Sequence, residues 1–162
     1  MSAAATARRV PGRFDSPEQE VFLNLWRTYD RLRALEDELF ARFDLTPQQY
    51  NVLRLLRAVH PRTLPTLALA DRLVSRAPDI TRMLDKLEDR RLINRDRPRE
   101  NRRVVRIGVT TAGLALLRAI AGPLRECHSR QLGHMTPANL RKLSGLLRAA
   151  REPHEPEESP WH

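Results

Sequence analysis

Between Arg76 and Arg106 the sequence carries eleven Lys or Arg against six Asp or Glu, a local surplus of five cations. Residue types at this spacing do no covalent chemistry; they bind polyanions. Duplex DNA is a dense line of negative charge, and Lys and Arg contacts bind it by releasing its counterions. Base identity is read separately, by side chains that reach base edges in the major groove. The pattern supplies both. Arg76, Thr81, Arg82 and Lys86 fall on the polar faces of a predicted helix and are candidate readers of DNA. Arg99, Arg102 and Arg103 sit in a predicted hairpin tip, placed for phosphates or the narrow minor groove. The alternative, that these are solvated side chains and that Arg82 pairs with Asp79 or Asp85 at helical spacing, stays open at this point.

Other chemistries find little support. No glycine-rich phosphate loop, nucleophile motif or metal signature is present, so no enzyme and no cofactor is expected. Cys127 is the single cysteine, which excludes an internal disulfide and a cysteine-based zinc site. It falls on an apolar helical face, where a free thiol is inert. Of the five histidines, His128 and His134 are six apart and share no helix face well, so no metal site is predicted. Trp26 and Tyr29 are candidate ligand contacts, although their spacing equally fits a packed face. The net charge of +9 and pI near 11.1 favour an anionic partner. No run of 18 apolar residues is present, and the first residues lack the apolar core of a secretory signal. A cytoplasmic protein without membrane partners is expected.

The elements that must position the basic stretch are legible around it. Residues 1–15 form a loose arm, either a solvated tail or an additional DNA contact. Ser16-Pro17-Glu18-Gln19 is a helix start with capping-box spacing. From there Phe22, Trp26, Tyr29, Leu32, Leu35, Leu39 and Phe43 recur at three- and four-residue steps. A helix of about 27 residues is roughly 40 Å long. One small lobe cannot cover it, so the stripe requires a second layer. Thr46-Pro47-Gln48-Gln49 repeats the start signature, with Tyr50, Leu53, Leu56 and Val59 inward until Pro61. A third helix is predicted from Pro65 to Leu73, then a turn at Val74-Ser75. Ser75 caps a fourth helix, which buries Ile80, Leu87 and either Met83 or Leu84. Leu92–Arg97 and Arg103–Val109 read as strands around a tip at Pro98–Arg102. Leu114, Leu117, Ile120, Leu124 and Cys127 line a fifth helix, with a kink expected at Gly122-Pro123. Leu140, Leu143 and Leu147 line a sixth, facing inward. The acidic, proline-containing end from Glu152 reads as disordered.

The stretch LALADRLVSRAPDITRMLDKLEDRRLINRDRPRENRRVVRIGVTTAG resembles the multiple antibiotic resistance regulator (MarR) family. Three pieces carry the match. They are Leu69-Ala70 to Leu73, Ile80-Thr81-Arg82 to Leu87-Glu88, and Arg102-Arg103 to Thr110 with Gly113. Two positions depart from the family. Arg91 stands where glycine often precedes the first wing strand. Glu100 and Asn101 stand where the wing often carries an aspartate that orients an arginine. The resemblance implies a mainly α fold with a small β-wing. A winged helix-turn-helix lobe at 46–110 would be flanked by dimerisation helices at 16–45 and 111–151, with disordered ends at 1–15 and 152–162. It further implies a homodimer on a palindromic promoter site, acting as a repressor relieved by a small anionic or phenolic ligand. The peroxide-sensing members use a cysteine near the N-terminus, which this chain lacks. A sequence-neutral architectural DNA binder is the rival reading.

Overall fold

The computed structural model describes residues 14–74, 79–159 and 161. The chain divides into two compact units, Met1–Ala34 and Leu35–His162. Helix α1 (Pro17–Ala41) starts in the first and ends in the second. Its N-terminus is held as the sequence predicts, with one difference. The Ser16 hydroxyl accepts the Gln19 N–H at 3.1 Å, but the Gln19 side chain reaches back one residue further, to the Asp15 N–H at 2.7 Å. In the first unit Val21, Phe22, Trp26 and Tyr29 are exposed along the helix.

The second unit holds the core. Helix α2 (Pro47–Val59) opens with the complete Thr46/Gln49 capping box. Val52, Leu53 and Leu56 are fully buried, whereas Tyr50 and Val59 are only half-buried, so the inward face is turned slightly from the predicted one. Phe40 stacks on Tyr50 at 4.8 Å, tying the end of α1 to α2. A short strand β1 (Leu64–Pro65) precedes α3 (Thr66–Asp71), which is shorter than the predicted third helix. Leu69 and Leu73 point into the core as expected.

Helix α4 spans Ile80–Asp89, and its cap is Asp79, whose carboxylate accepts the Arg82 N–H at 3.0 Å. The expected serine cap falls on Ser75, outside the described residues. Leu84 and Leu87 are buried, which settles the choice between Met83 and Leu84. Strands β2 (Ile93–Asp96) and β3 (Arg106–Val109) are shorter than predicted, and the wing tip correspondingly longer. With β1 they form an antiparallel sheet in the order β1-β3-β2, three strands where two were expected. Leu64 pairs with Ile107, and Ile93 with Val109, which places Ile93, Ile107 and Val109 in the core.

Helix α5 (Thr111–Leu132) runs on through Pro123 and buries Leu117, Ile120, Leu124 and Cys127. Helix α6 (Pro137–Arg151) differs from expectation: it buries no residue. Leu140 and Leu143 are half-buried, and Leu146 and Leu147 are exposed. These leucines therefore find no core within their own chain. The end of the chain is also more ordered than its composition suggests. A 3-10 turn (Glu152–His154) follows α6. Arg151 then gathers the tail, pairing with Glu155 at 3.0 Å, donating to the Trp161 carbonyl at 3.1 Å and lying over the indole. No helix among the described residues is long and apolar enough to cross a membrane.

Candidate nucleic-acid interface

Helix α4 presents a strongly one-sided surface. Leu84 and Leu87 fix it to the core, and Thr81, Arg82, Asp85 and Lys86 are exposed opposite. Arg76 lies outside the described residues. Neither of the pairings open to Arg82 is made. Asp79 engages its backbone N–H, and Asp85 is taken by Arg95 from strand β2. The same guanidinium reaches a second acid: Arg95 Nε lies 3.0 Å from Glu88 Oε2, as an ion pair without an aligned hydrogen bond. Arg95 thus spans two carboxylates on one helix with different nitrogens of its rigid planar guanidinium. Among the described residues, the Arg82 guanidinium and Lys86 ammonium have no hydrogen-bond or ion-pair partner.

The wing repeats this division. Arg99, Arg102 and Arg103 are exposed at the tip, and their side chains have no partner among the described residues. Asn101 does not orient a guanidinium; its side-chain oxygen accepts the Arg103 N–H at 3.1 Å and fixes the turn. Arg97 leans on the Arg102 carbonyl at 3.4 Å. At the wing's base Arg106 is a structural cation, donating to the Thr63 hydroxyl at 2.8 Å and carbonyl at 2.9 Å. Arg90 is another: it donates to the carbonyls of Phe43, at 3.2 Å, and Asp44, closing the turn after α1. The sequence marks Arg90, Arg95 and Arg106 as part of the basic run without showing that folding uses them. Their partners lie 46, 10 and 43 residues away, beyond any local spacing rule.

The helix-to-wing junction is built with little slack. Arg91 adopts φ 56°, the left-handed conformation that glycine takes most readily. The next carbonyl, of Leu92, accepts the Thr110 N–H at 3.1 Å, and the Arg91 carbonyl accepts the Thr110 hydroxyl at 2.7 Å. Gly113 admits this approach, since a Cβ there would stand 2.3 Å from the Leu92 oxygen. The other proposed site residues lie elsewhere. Trp26 and Tyr29 are exposed in the first unit, Trp26 edge-on to Phe22 at 6.3 Å and Tyr29 beneath the Arg33 guanidinium at 5.9 Å. Cys127 is buried; desolvation, then the nearby Glu36 carboxylate, push its thiol above the ordinary range.

The MarR family model matches residues 45–105, from the turn before α2 to the end of the wing tip. A MarR transcription factor from Planctomyces limnophilus is 55% identical over 85% of this chain and 99% of its own, with a TM-score of 0.68. The chain belongs to the MarR family. It is a DNA-binding transcriptional regulator rather than an enzyme, and its mainly helical fold with a three-stranded sheet is the MarR winged helix. Two more distant structures share that fold. A mutant MarR of E. coli complexed with operator DNA is 21% identical over 81% of this chain and 93% of its own, with a TM-score of 0.73. Bordetella bronchiseptica BpsR, whose DNA binding is regulated by 6-hydroxynicotinic acid, is 22% identical over 81% of this chain and 98% of its own, also with a TM-score of 0.73.

Proposed function

We propose that this MarR-family regulator is a ligand-responsive repressor that binds a palindromic promoter site as a homodimer. One observation carries the reading of the site. Two adjacent elements, α4 and the wing, expose cations without partners among the described residues, while Asp85 and Glu88 of α4 are already engaged by Arg95. Arg82, Thr81, Lys86 and Arg76 are assigned to the major groove, and Arg99, Arg102 and Arg103 to the backbone or minor groove. The leucines of α6, which their own chain leaves uncovered, support a second copy as partner. The helices at 16–45 and 111–151 are accordingly assigned to dimerisation.

The effector is assigned to the small anionic or phenolic class. Support comes from BpsR, which responds to an aromatic acid, and from a guanidinium lying over the Tyr29 ring beside Trp26. Footprinting the purified protein on DNA upstream of its own gene tests the proposal. A bounded, two-fold symmetric protected stretch is expected, lost on addition of effector. Uniform protection, with equal affinity for scrambled DNA at the same salt, would instead establish the architectural role.

A further inference from the structure

We infer that Arg95 is a positioning residue for DNA reading: by holding Asp85 it keeps Arg82 available to DNA. The inference rests on the assignment of α4 as the reading helix. Arg82 and Asp85 are three residues apart on one helical face, the spacing at which opposite charges attract. Left alone, Asp85 is the natural partner of Arg82, and its exposed carboxylate repels phosphate. Arg95 removes both effects. It approaches from β2, where it sits opposite Ile107 of β3, so its backbone is fixed by the sheet and not by the helix it serves. Its side chain is largely shielded from solvent, with 21% exposed, against 53% for Asp85 and 43% for Glu88. A guanidinium so enclosed and doubly paired is badly placed to contact phosphate itself. One side chain thereby sets the charge pattern of the reader and ties it to the wing.

The experiment compares operator and scrambled-duplex affinity at fixed salt for a set of variants. Arg95→Gln is expected to lose about tenfold in operator affinity and much less on scrambled DNA, the scale of one base-reading pair. Adding Asp85→Asn to Arg95→Gln removes the competitor and should restore operator affinity to within about twofold of wild type, a coupling of the kind found between residues in direct contact. Adding Asp30→Asn instead, an equal charge change away from α4, should not. A strut that merely props the wing cannot be rescued by Asp85→Asn, so failure of that rescue overturns the inference. If Arg95→Gln does not fold, the chain with Asp85→Asn and Glu88→Gln decides. It leaves Arg95 nothing to hold, and is expected to keep operator affinity; a tenfold loss overturns the inference. Arg82→Ala separates the two levels. If it lowers operator affinity while Arg95→Gln does not, the reading helix stands and the role of Arg95 falls. If neither matters, the assignment of α4 itself falls.

Discussion

An arginine in a basic run has two possible employments, and the structure divides them by what lies within reach. Arg90, Arg95 and Arg106 spend their donors inside the fold, on carbonyls, a hydroxyl and two carboxylates. Arg82, Arg99, Arg102 and Arg103 have no such outlet among the described residues. The free ones should differ in kind. Arg82 is assigned to a base edge, where one good pair discriminates by about 1–3 kcal/mol. Arg82→Ala should therefore weaken operator binding far more than binding to random duplex. Arg99→Ala with Arg102→Ala should weaken both, and flatten the salt dependence by up to about two phosphate equivalents. A salt titration on both DNAs decides, and equal losses for Arg82→Ala on the two would reverse the assignment. Cys127 belongs to the opposite class. Its thiol is raised by burial first and Glu36 second, so it stays protonated at neutral pH. Native protein should react with iodoacetamide far more slowly than urea-unfolded protein. By linkage, the contribution of this thiol to stability is complete below its unfolded pKa and is lost as pH rises from there through the raised folded value. Labelling at equal rates in both states would show the site to be open.

Elements are legible in the sequence where their cause is local. Thr46 and Gln49 announce the start of α2 because a capping box needs nothing outside four residues. Leucine spacing likewise gives α5 its buried face. Strand β1 escapes, because two residues carry no alternation and Leu64 becomes a strand only by pairing with Ile107. The cap of α4 is displaced from Ser75 to Asp79 because both are good caps near a proline, and spacing alone does not rank them. The wing's register depends on the junction at Arg91, Leu92 and Gly113, where two substitutions should act oppositely. Gly113→Ala drives a methyl into the Leu92 carbonyl and should destabilise by about 1–3 kcal/mol. Arg91→Gly relieves a left-handed arginine and should be neutral or stabilising by up to about 1 kcal/mol. Urea unfolding of both variants tests this, and a loss of stability in Arg91→Gly comparable to that in Gly113→Ala would contradict it.

At the scale of the molecule, the sequence points to a second layer because its apolar stripes exceed what one lobe can bury. The structure leaves Leu146 and Leu147 of α6 exposed, and separately Phe22, Trp26 and Tyr29 of the first unit. What the stripe pattern did not reveal is that α6 buries no residue within its own chain: three- and four-residue spacing marks a face as apolar without saying which chain will cover it. A homodimer is expected, with a mass near twice 18.7 kDa by light scattering at micromolar concentration. Leu143→Asp with Leu147→Asp should yield a monomer with the α2–α5 core still folded by circular dichroism, or no folded protein at all. A wild type that is monomeric and folded at that concentration would remove the basis for two-fold symmetric binding.

The hooked C-terminus also equips the chain with an optical probe. The sequence holds two tryptophans, Trp26 and Trp161, and they occupy different settings. Trp26 is exposed, whereas Trp161 is half-enclosed under the Arg151 guanidinium, on the border of the groove formed by Leu140, Leu143 and Leu147. An indole's emission colour follows its contact with water. In a Trp26→Phe background the remaining fluorescence therefore watches the α6 surface directly. If the proposed dimer forms through α6, dilution through its equilibrium should appear as a red shift, without a dye and without touching α4 or the wing.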